Sequence, residues 1–286
     1  MFDQLKKLGS QTALYGLSSI LGKVLNFMLV PLHTAVLSRA AFGINTDIYA
    51  IIAFFIVILT YGMETSFFRF SEKYAEKKDR VYSTAFLSIV GTSAAFILLF
   101  GLFAEPISTA LKYGENQNYI WWMVIILGMD AVAAIPFARL RAENKAAKFV
   151  FVKLALIFSN ILFNLLFFTP ALVNRNLPFD LLPYWFGQDL GVGYIFLANL
   201  IASIIMLLLL LPQIFKAKFA FDFSLWKEML IFGIPLLISG LAGVANELLD
   251  RQLLKYLLPE DQWQVQVGIY GAVYKLSIFL ILFNQA

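Results

Sequence analysis

Mostly apolar stretches of about 20 residues recur along the whole chain. At a rise of about 1.5 Å per residue, each could form a helix that crosses a hydrocarbon core of about 30 Å. Hydrophobic residues make up 60% of the 286 positions and charged residues 14%, whereas soluble domains contain about 25% charged residues. The sequence therefore predicts an all-α integral membrane protein and excludes a soluble globular domain.

Thiol and metal chemistry are not expected. The chain has no cysteine and a single histidine, His33, so disulfides, thiolate metal sites and histidine metal clusters are excluded. We predict no cofactor. The net charge of +4 does not indicate nucleic-acid binding, because in a membrane protein the location of the positive charges matters more than their sum.

Hydropathy predicts about eight transmembrane helices. They are placed at Gly9–Pro31, Ile44–Phe70, Tyr82–Ala104, Tyr119–Phe137, Ala147–Thr169, Val192–Pro212, Trp226–Leu248 and Val267 to the carboxyl terminus. The amino-terminal segment and the even-numbered loops hold fifteen Lys and Arg residues. The opposite loops hold five, namely Arg39, Lys112, Arg175, Arg251 and Lys255. The positive-inside rule therefore places the amino terminus in the cytoplasm.

The first two helices and the last two look like copies of one another. Three residues at the start of helix 2 match three at the start of helix 8 at an offset of 225: Gly43, Ile44 and Tyr49 match Gly268, Ile269 and Tyr274. Helices 1 and 7 share a similar aromatic-Gly-aliphatic step around Gly16 and Gly233, 217 positions apart. Chance matching of glycine-rich apolar segments is the alternative.

A real repeat would make the chain one six-helix lobe, residues 1–218, followed by an incomplete second lobe, residues 219–286, that contains only helices 7 and 8. Transporters are commonly built from such duplicated bundles. The chain ends within an apolar run, so we expect a truncated chain. Transport by it alone would then be doubtful, and a separate chain could supply the missing second-lobe helices.

Ionisable residues within apolar helices are the candidate functional residues, because a charge near the bilayer centre costs several kcal/mol unless it faces a cavity or a partner. Lys23 and Lys275 are predicted to reach the outer half of the membrane and to line one cationic cavity. The alternative is that each lysine snorkels to the headgroups. Arg69, near the cytoplasmic end of helix 2, could hold a phosphate, act as part of a gate or simply anchor the helix.

Four further charged residues are candidates for gating or coupling. They are Glu64, Asp130, Asp250 and Arg251. We expect Glu64 to pair across helices. Asp130, with the amide stripe of Asn160 and Asn164, is better explained by hydrogen bonds between helices than by a proton relay. Asp250 and Arg251 lie beside Glu247 at the outer end of helix 7, where an external gate or an ordinary solvated helix end is expected.

Five segments carry a resemblance to a known family: LKKLGSQTALYGLSSILGKVLNFMLVPLHT, YGMETSFFRF, IPFARLRAENKAAKFVFVKL, GVGYIFLANLIAS and DRQLLKYLLPEDQWQVQVGIYGAVYKL. Together they resemble the polysaccharide exporters and oligosaccharide-lipid flippases of the multidrug/oligosaccharidyl-lipid/polysaccharide (MOP) superfamily. The resemblance covers the entire chain and looks most like the lipopolysaccharide-biosynthesis branch.

The resemblance implies two six-helix lobes around a central cavity and a flippase that moves an undecaprenyl-pyrophosphate-linked oligosaccharide across the inner membrane. Lys23, Arg69 and Lys275 would then attract the pyrophosphate, and Asp250 with Arg251 would gate. The expected partners are this lipid-linked oligosaccharide and membrane lipids. The chain departs from the family in lacking four or more helices of the second lobe.

Three alternatives remain. A cation-coupled multidrug exporter of the same fold would favour an acidic cavity, against which Lys23 argues. A membrane glycosyltransferase or polymerase would need a catalytic carboxylate or histidine constellation, and the sequence shows none, so we do not expect an enzyme. A non-transporting fragment is the third alternative.

Overall fold

The computed structural model describes residues 2–114, 116–174, 191–218 and 220–285. Within these ranges the chain forms ten α-helices. They are α1 (Phe2–Val36), α2 (Arg39–Thr60), α3 (Met63–Lys73), α4 (Lys78–Leu102), α5 (Ala104–Ala110), α6 (Gln117–Ala142), α7 (Ala146–Asn174), α8 (Gly193–Ile214), α9 (Phe223–Leu257) and α10 (Trp263–Gln285). The prediction of an all-α protein is thus confirmed for the described residues.

The helix predicted at 44–70 consists of two helices, α2 and α3, so its prediction as one continuous helix was wrong. The backbone between them adopts positive φ at Tyr61 (φ 32°) and Gly62 (φ 70°), which ends the first helix. Glycine is required at position 62 for two reasons. It adopts positive φ without a steric penalty, and a side-chain carbon there would lie 2.6 Å from the carbonyl oxygen of Gly233.

Six helical segments of the described chain are long and apolar enough to cross a membrane. They are Arg39–Lys73, Ala75–Leu102, Gln117–Ala142, Ala146–Thr169, Gly193–Ile214 and Phe223–Ala245. A shorter apolar helical stretch covers Ile20–Val36. The protein is therefore a multi-pass helical membrane protein. Eight spans remain a prediction, and the short helix α5 was not predicted.

The helix predicted to end at Leu248 continues as α9 to Leu257. Arg251 and Lys255 therefore lie within this helix, and their assignment to a loop was wrong. Arg39, which was also counted among the residues of these loops, is the first residue of α2. The polar sequence after Leu248 looks like a loop because local hydropathy falls there, but packing keeps these residues helical.

The chain divides into two compact units that do not follow the predicted lobes. The first comprises Met1–Ala50, Lys153–Ala202 and Leu249–Ala286, and the second comprises Ile51–Val152 and Ser203–Leu248. In the first unit α1 packs against α10, and in the second unit α4 packs against α3 and α6. The predicted division into lobes at 218/219 stays a prediction.

The amino-terminal ends of α2 and α10 meet in the first unit through a reciprocal backbone contact. A side-chain carbon on Gly43 would overlap the carbonyl oxygen of Gln264, and one on Gly268 would overlap the carbonyl oxygen of Arg39. Arg39 and Gln264 are 225 positions apart, as are Gly43 and Gly268. Reciprocal contacts of this kind arise where two equivalent segments meet on a two-fold axis. The offset of 225 positions is also that of the predicted repeat of helices 2 and 8.

Candidate functional site

Two basic residues on neighbouring helices form the main candidate site, which we call the basic cluster: Arg251 of α9 and Lys275 of α10. The Arg251 guanidinium lies over the ring of Tyr274 at 4.9 Å and 5.9 Å from that of Tyr270. The Lys275 ammonium lies over the ring of Phe42 at 5.1 Å. Aromatic faces attract cations electrostatically, so the rings hold both charges at the predicted external end of the first unit.

Burial makes Arg251 unusual. Only 7% of this residue is exposed, whereas arginine residues in proteins are mostly exposed. Its planar guanidinium presents donors in a fork that matches carboxylate and phosphate oxygens. The cluster therefore has the chemistry to bind an anionic group that carries several oxygens.

Asp250, the neighbour of Arg251, is exposed and accepts a hydrogen bond of 2.6 Å from the hydroxyl of Tyr270. Tyr270 thereby contacts both candidates for the external gate. The side chain of Glu247, the third member of the predicted charged group, lies outside the part of the chain that the structure describes.

Lys23 is exposed on α1, the helix that packs against the helix of Lys275. Nearer the end of α1, the buried His33 ring shares a 2.7 Å hydrogen bond between its Nε2 and Oδ1 of Asn164 on α7. The Asn164 amide also donates to Oδ1 of Asn160 at 2.7 Å. Asn164 thus joins α7 to α1 by a hydrogen bond between helices, the role that the sequence favours.

A fully buried ion pair near the basic cluster was not predicted. Asp47 of α2 and Lys255 of α9 contact each other, and both side chains have 0% exposure. Gln252 donates a hydrogen bond of 2.7 Å to the other carboxylate oxygen of Asp47. The available signal was an acidic residue within the apolar helix α2, but nothing local in the sequence identifies a partner 208 positions away.

In the second unit, Glu64 of α3 forms an ion pair with Arg141 of α6, which is the expected pairing across helices. The Arg141 guanidinium also lies 5.2 Å from the ring of Phe68. Arg69 is exposed, and its guanidinium lies over the Phe232 ring of α9 at 4.2 Å. The exposed Arg69 keeps a guanidinium at the predicted cytoplasmic end, where an anionic headgroup could reach it.

Asp130 of α6 accepts a hydrogen bond of 3.0 Å from the hydroxyl of Ser203 on α8. This contact agrees with a structural role between helices, the explanation that the sequence favours. It also keeps a half-buried carboxylate within the membrane-spanning part of the second unit.

A network of charges surrounds Glu143, just after α6. Its carboxylate accepts hydrogen bonds from Nε of Arg139 at 2.6 Å and Nζ of Lys145 at 2.5 Å, and Lys216 lies at 3.5 Å. Partial burial alone would raise the pKa of Glu143, but these three cations together lower it from 4.5 to about 2. Arg139 also binds Asp79 of α4 at 2.8 Å, so the network joins α4, α6 and the segment that follows α8.

Replacing Glu143 with glutamine is expected to lower the free energy of unfolding by about 1–3 kcal/mol at neutral pH. Because folding lowers the pKa from 4.5 to about 2, the carboxylate stabilises the fold fully above pH ~4.5 and loses this contribution as the pH falls towards ~2. The melting temperatures of the parent protein and of Glu143→Gln in detergent should therefore converge as the pH falls over that range. The control Glu76→Gln, at an exposed site, should melt like the parent at every pH. If the melting temperatures of the parent and Glu143→Gln differed by the same amount at every pH, the lowered pKa of Glu143 would be contradicted.

Among the described residues, no group of three or more His, Cys, Asp or Glu side chains could hold a metal ion. The candidate site is thus defined by cations and aromatic rings within the first unit.

Comparison with known proteins gives one match. A family model described as "Polysaccharide biosynthesis protein" matches residues 8–283. No curated protein and no solved structure matches the chain. The match covers nearly the whole chain, including the helices of both compact units.

Proposed function

Because the chain belongs to the polysaccharide biosynthesis protein family, we propose that it is a flippase that moves an undecaprenyl-pyrophosphate-linked oligosaccharide across the bacterial inner membrane. The product would supply cell-surface polysaccharide or lipopolysaccharide synthesis. The protein acts as a transporter in this proposal and not as an enzyme. Its eight spans have the amino terminus in the cytoplasm, as the distribution of Lys and Arg supports.

The basic cluster is the observation that carries the proposal. Charged side chains within membrane helices are expensive and usually serve a substrate or an ion. Arg251 and Lys275 provide two cations that lie over aromatic rings, those of Tyr270 and Tyr274 for Arg251 and that of Phe42 for Lys275. A pyrophosphate carries several negative oxygens, and charge-assisted hydrogen bonds from arginine and lysine are the strong interactions available to it.

The other predicted substrate residues have complementary places in this proposal. Arg69, exposed at the predicted cytoplasmic end, would meet the pyrophosphate as it arrives in the inner leaflet. Lys23 lies on α1, which packs beside the helix of Lys275, and would extend the cationic path. Glu64 and Asp130, both held by partners in the second unit, are the proposed coupling groups.

Binding of the lipid anion tests the proposal. The protein in nanodiscs should bind undecaprenyl pyrophosphate at least about tenfold more tightly than undecaprenol, a difference of about 1.4 kcal/mol. Arg251→Gln and Lys275→Gln should each lower the affinity for undecaprenyl pyrophosphate about tenfold, because each substitution deletes one charge-assisted contact. Lys77→Gln, which removes an exposed charge after α3, is the matched control. Microscale thermophoresis with labelled protein provides the measurement.

Equal affinity of the parent protein for the diphosphate and the alcohol would overturn the proposal. Tight binding of lipophilic cations in place of the diphosphate would instead identify a multidrug exporter of the same fold.

A further inference from the structure

We propose that Asp47, Gln252 and Lys255 are positioning residues that latch α2 to α9 at the predicted external end of the protein. The inference rests on the proposed function, because a flippase that works by alternating access has to open its external end to release cargo, and in this inference α2 and α9 separate there. Their separation would have to break this contact, because Asp47 lies on α2 while Gln252 and Lys255 lie on α9.

The first argument is the way in which one helix holds the carboxylate. Gln252 and Lys255 are three positions apart, so both project from the same face of α9. Gln252 binds one carboxylate oxygen of Asp47 and Lys255 binds the other. Both oxygens of a single α2 side chain are therefore held by adjacent turns of α9.

The second argument is burial. The Asp47 and Lys255 side chains are 0% exposed, and the ammonium lies 4.9 Å from the ring of Trp263, which is itself 1% exposed. In such a place each charge is stabilised by the other, and removal of one partner leaves an uncompensated buried charge. Loss of a single charge therefore turns this contact from one that holds the helices together into one that favours their separation.

The third argument is the position of the Asp47–Lys255 ion pair beside the close backbone contact of α2 with α10 at Gly43 and Gly268, which we call the glycine contact. Asp47 follows Gly43 by four residues and so lies on the same face of α2, one turn further along. That face of α2 meets the backbone of α10 at Gly268. The ion pair and the glycine contact thus close the same end of the first unit, and Trp263, the first residue of α10, connects them.

The absence of cysteine from the sequence makes thiol labelling a clean test. Thr46→Cys places a reporter next to the latch, at a residue that is 6% exposed. Ser66→Cys places a second reporter at the predicted cytoplasmic end, at a residue that is 0% exposed and bonded to Met229. Each reporter is combined with Asp47→Asn, with Lys255→Met and with the double substitution. A maleimide that cannot cross the membrane is applied from the outside of intact cells, and from both sides of opened vesicles.

Each single substitution is expected to raise the labelling rate at position 46 by at least about tenfold, because the remaining charge favours the open, hydrated state. The rate at position 66 should not change. The double substitution should return position 46 to the parent rate, because it leaves no unpaired charge. Asp261→Asn, which removes an exposed carboxylate at the same end, should also label like the parent.

Two results would overturn the latch. One is an unchanged rate at position 46 in both single variants. The other is general loosening of the packing, which would appear either as an equal rise at positions 46 and 66 or as a double variant that labels as fast as the single ones. The labelling requires no substrate, so its outcome does not depend on the binding experiment. If labelling behaves as expected while undecaprenyl pyrophosphate fails to bind, the latch is supported and the proposed cargo is rejected.

Discussion

Substituting alanine for Gly43 or Gly268 is expected to lower the melting temperature sharply, with a loss of about 3 kcal/mol in the free energy of unfolding. At each position the new methyl group would overlap a backbone carbonyl of the partner helix, that of Gln264 or of Arg39. A backbone atom cannot rotate away as the end of a flexible side chain does, so α2 and α10 would have to move apart. Thermal unfolding in detergent, followed by tryptophan fluorescence, measures the effect.

Gly91→Ala in α4 is the matched control for this prediction. Nothing lies within 4 Å of a side-chain carbon at Gly91, and alanine is favoured over glycine in a helix interior by about 1 kcal/mol. The control should therefore be as stable as the parent or more so. If the Gly43 and Gly268 variants matched this control, the close contact between α2 and α10 would be refuted.

Lys255→Met is expected to cost about 3–5 kcal/mol, because it leaves the buried Asp47 carboxylate without its opposite charge. Methionine has a similar length, so little of this loss comes from packing. The double variant Asp47→Asn, Lys255→Met should lie within about 1 kcal/mol of the parent, since a buried ion pair can often be replaced by neutral residues at little cost. Asparagine at position 47 would still accept the hydrogen bond from Gln252.

A double-mutant cycle over these variants isolates the interaction between the two side chains. Unfolding in mixed micelles, with reversibility checked for each variant, supplies the four free energies. Additive losses from the two single substitutions would mean that the charges do not stabilise one another, and the description of the pair would be wrong.

The helical class and most helix positions could be predicted from the sequence because apolar runs of bilayer length are a local property. The prediction failed where tertiary contacts override local hydropathy. At Gly62 the chain breaks the second predicted helix to approach Gly233, and beyond Leu248 packing continues α9 through charged residues.

For the candidate site, the sequence could select residues but not their neighbours. A charge in an apolar helix marks Lys275 as unusual without any fold, whereas the sequence placed Arg251 beyond the end of a predicted helix. Only the structure shows that aromatic rings of α10 and α2 hold these two cations. It also places the predicted gate residue Asp250 on a tyrosine hydroxyl, a contact that depends on how α9 and α10 meet.

By itself the sequence determined that this chain is a helical membrane protein of the polysaccharide biosynthesis family, because composition, span length and family pattern are read along the chain. Only the tertiary structure decided which polar groups meet. Asp47 and Lys255 are 208 positions apart, and no periodicity extends over that distance. Their pairing arises because the packing of α2 against α9 removes both charges from solvent, where each becomes the other's main source of stabilisation.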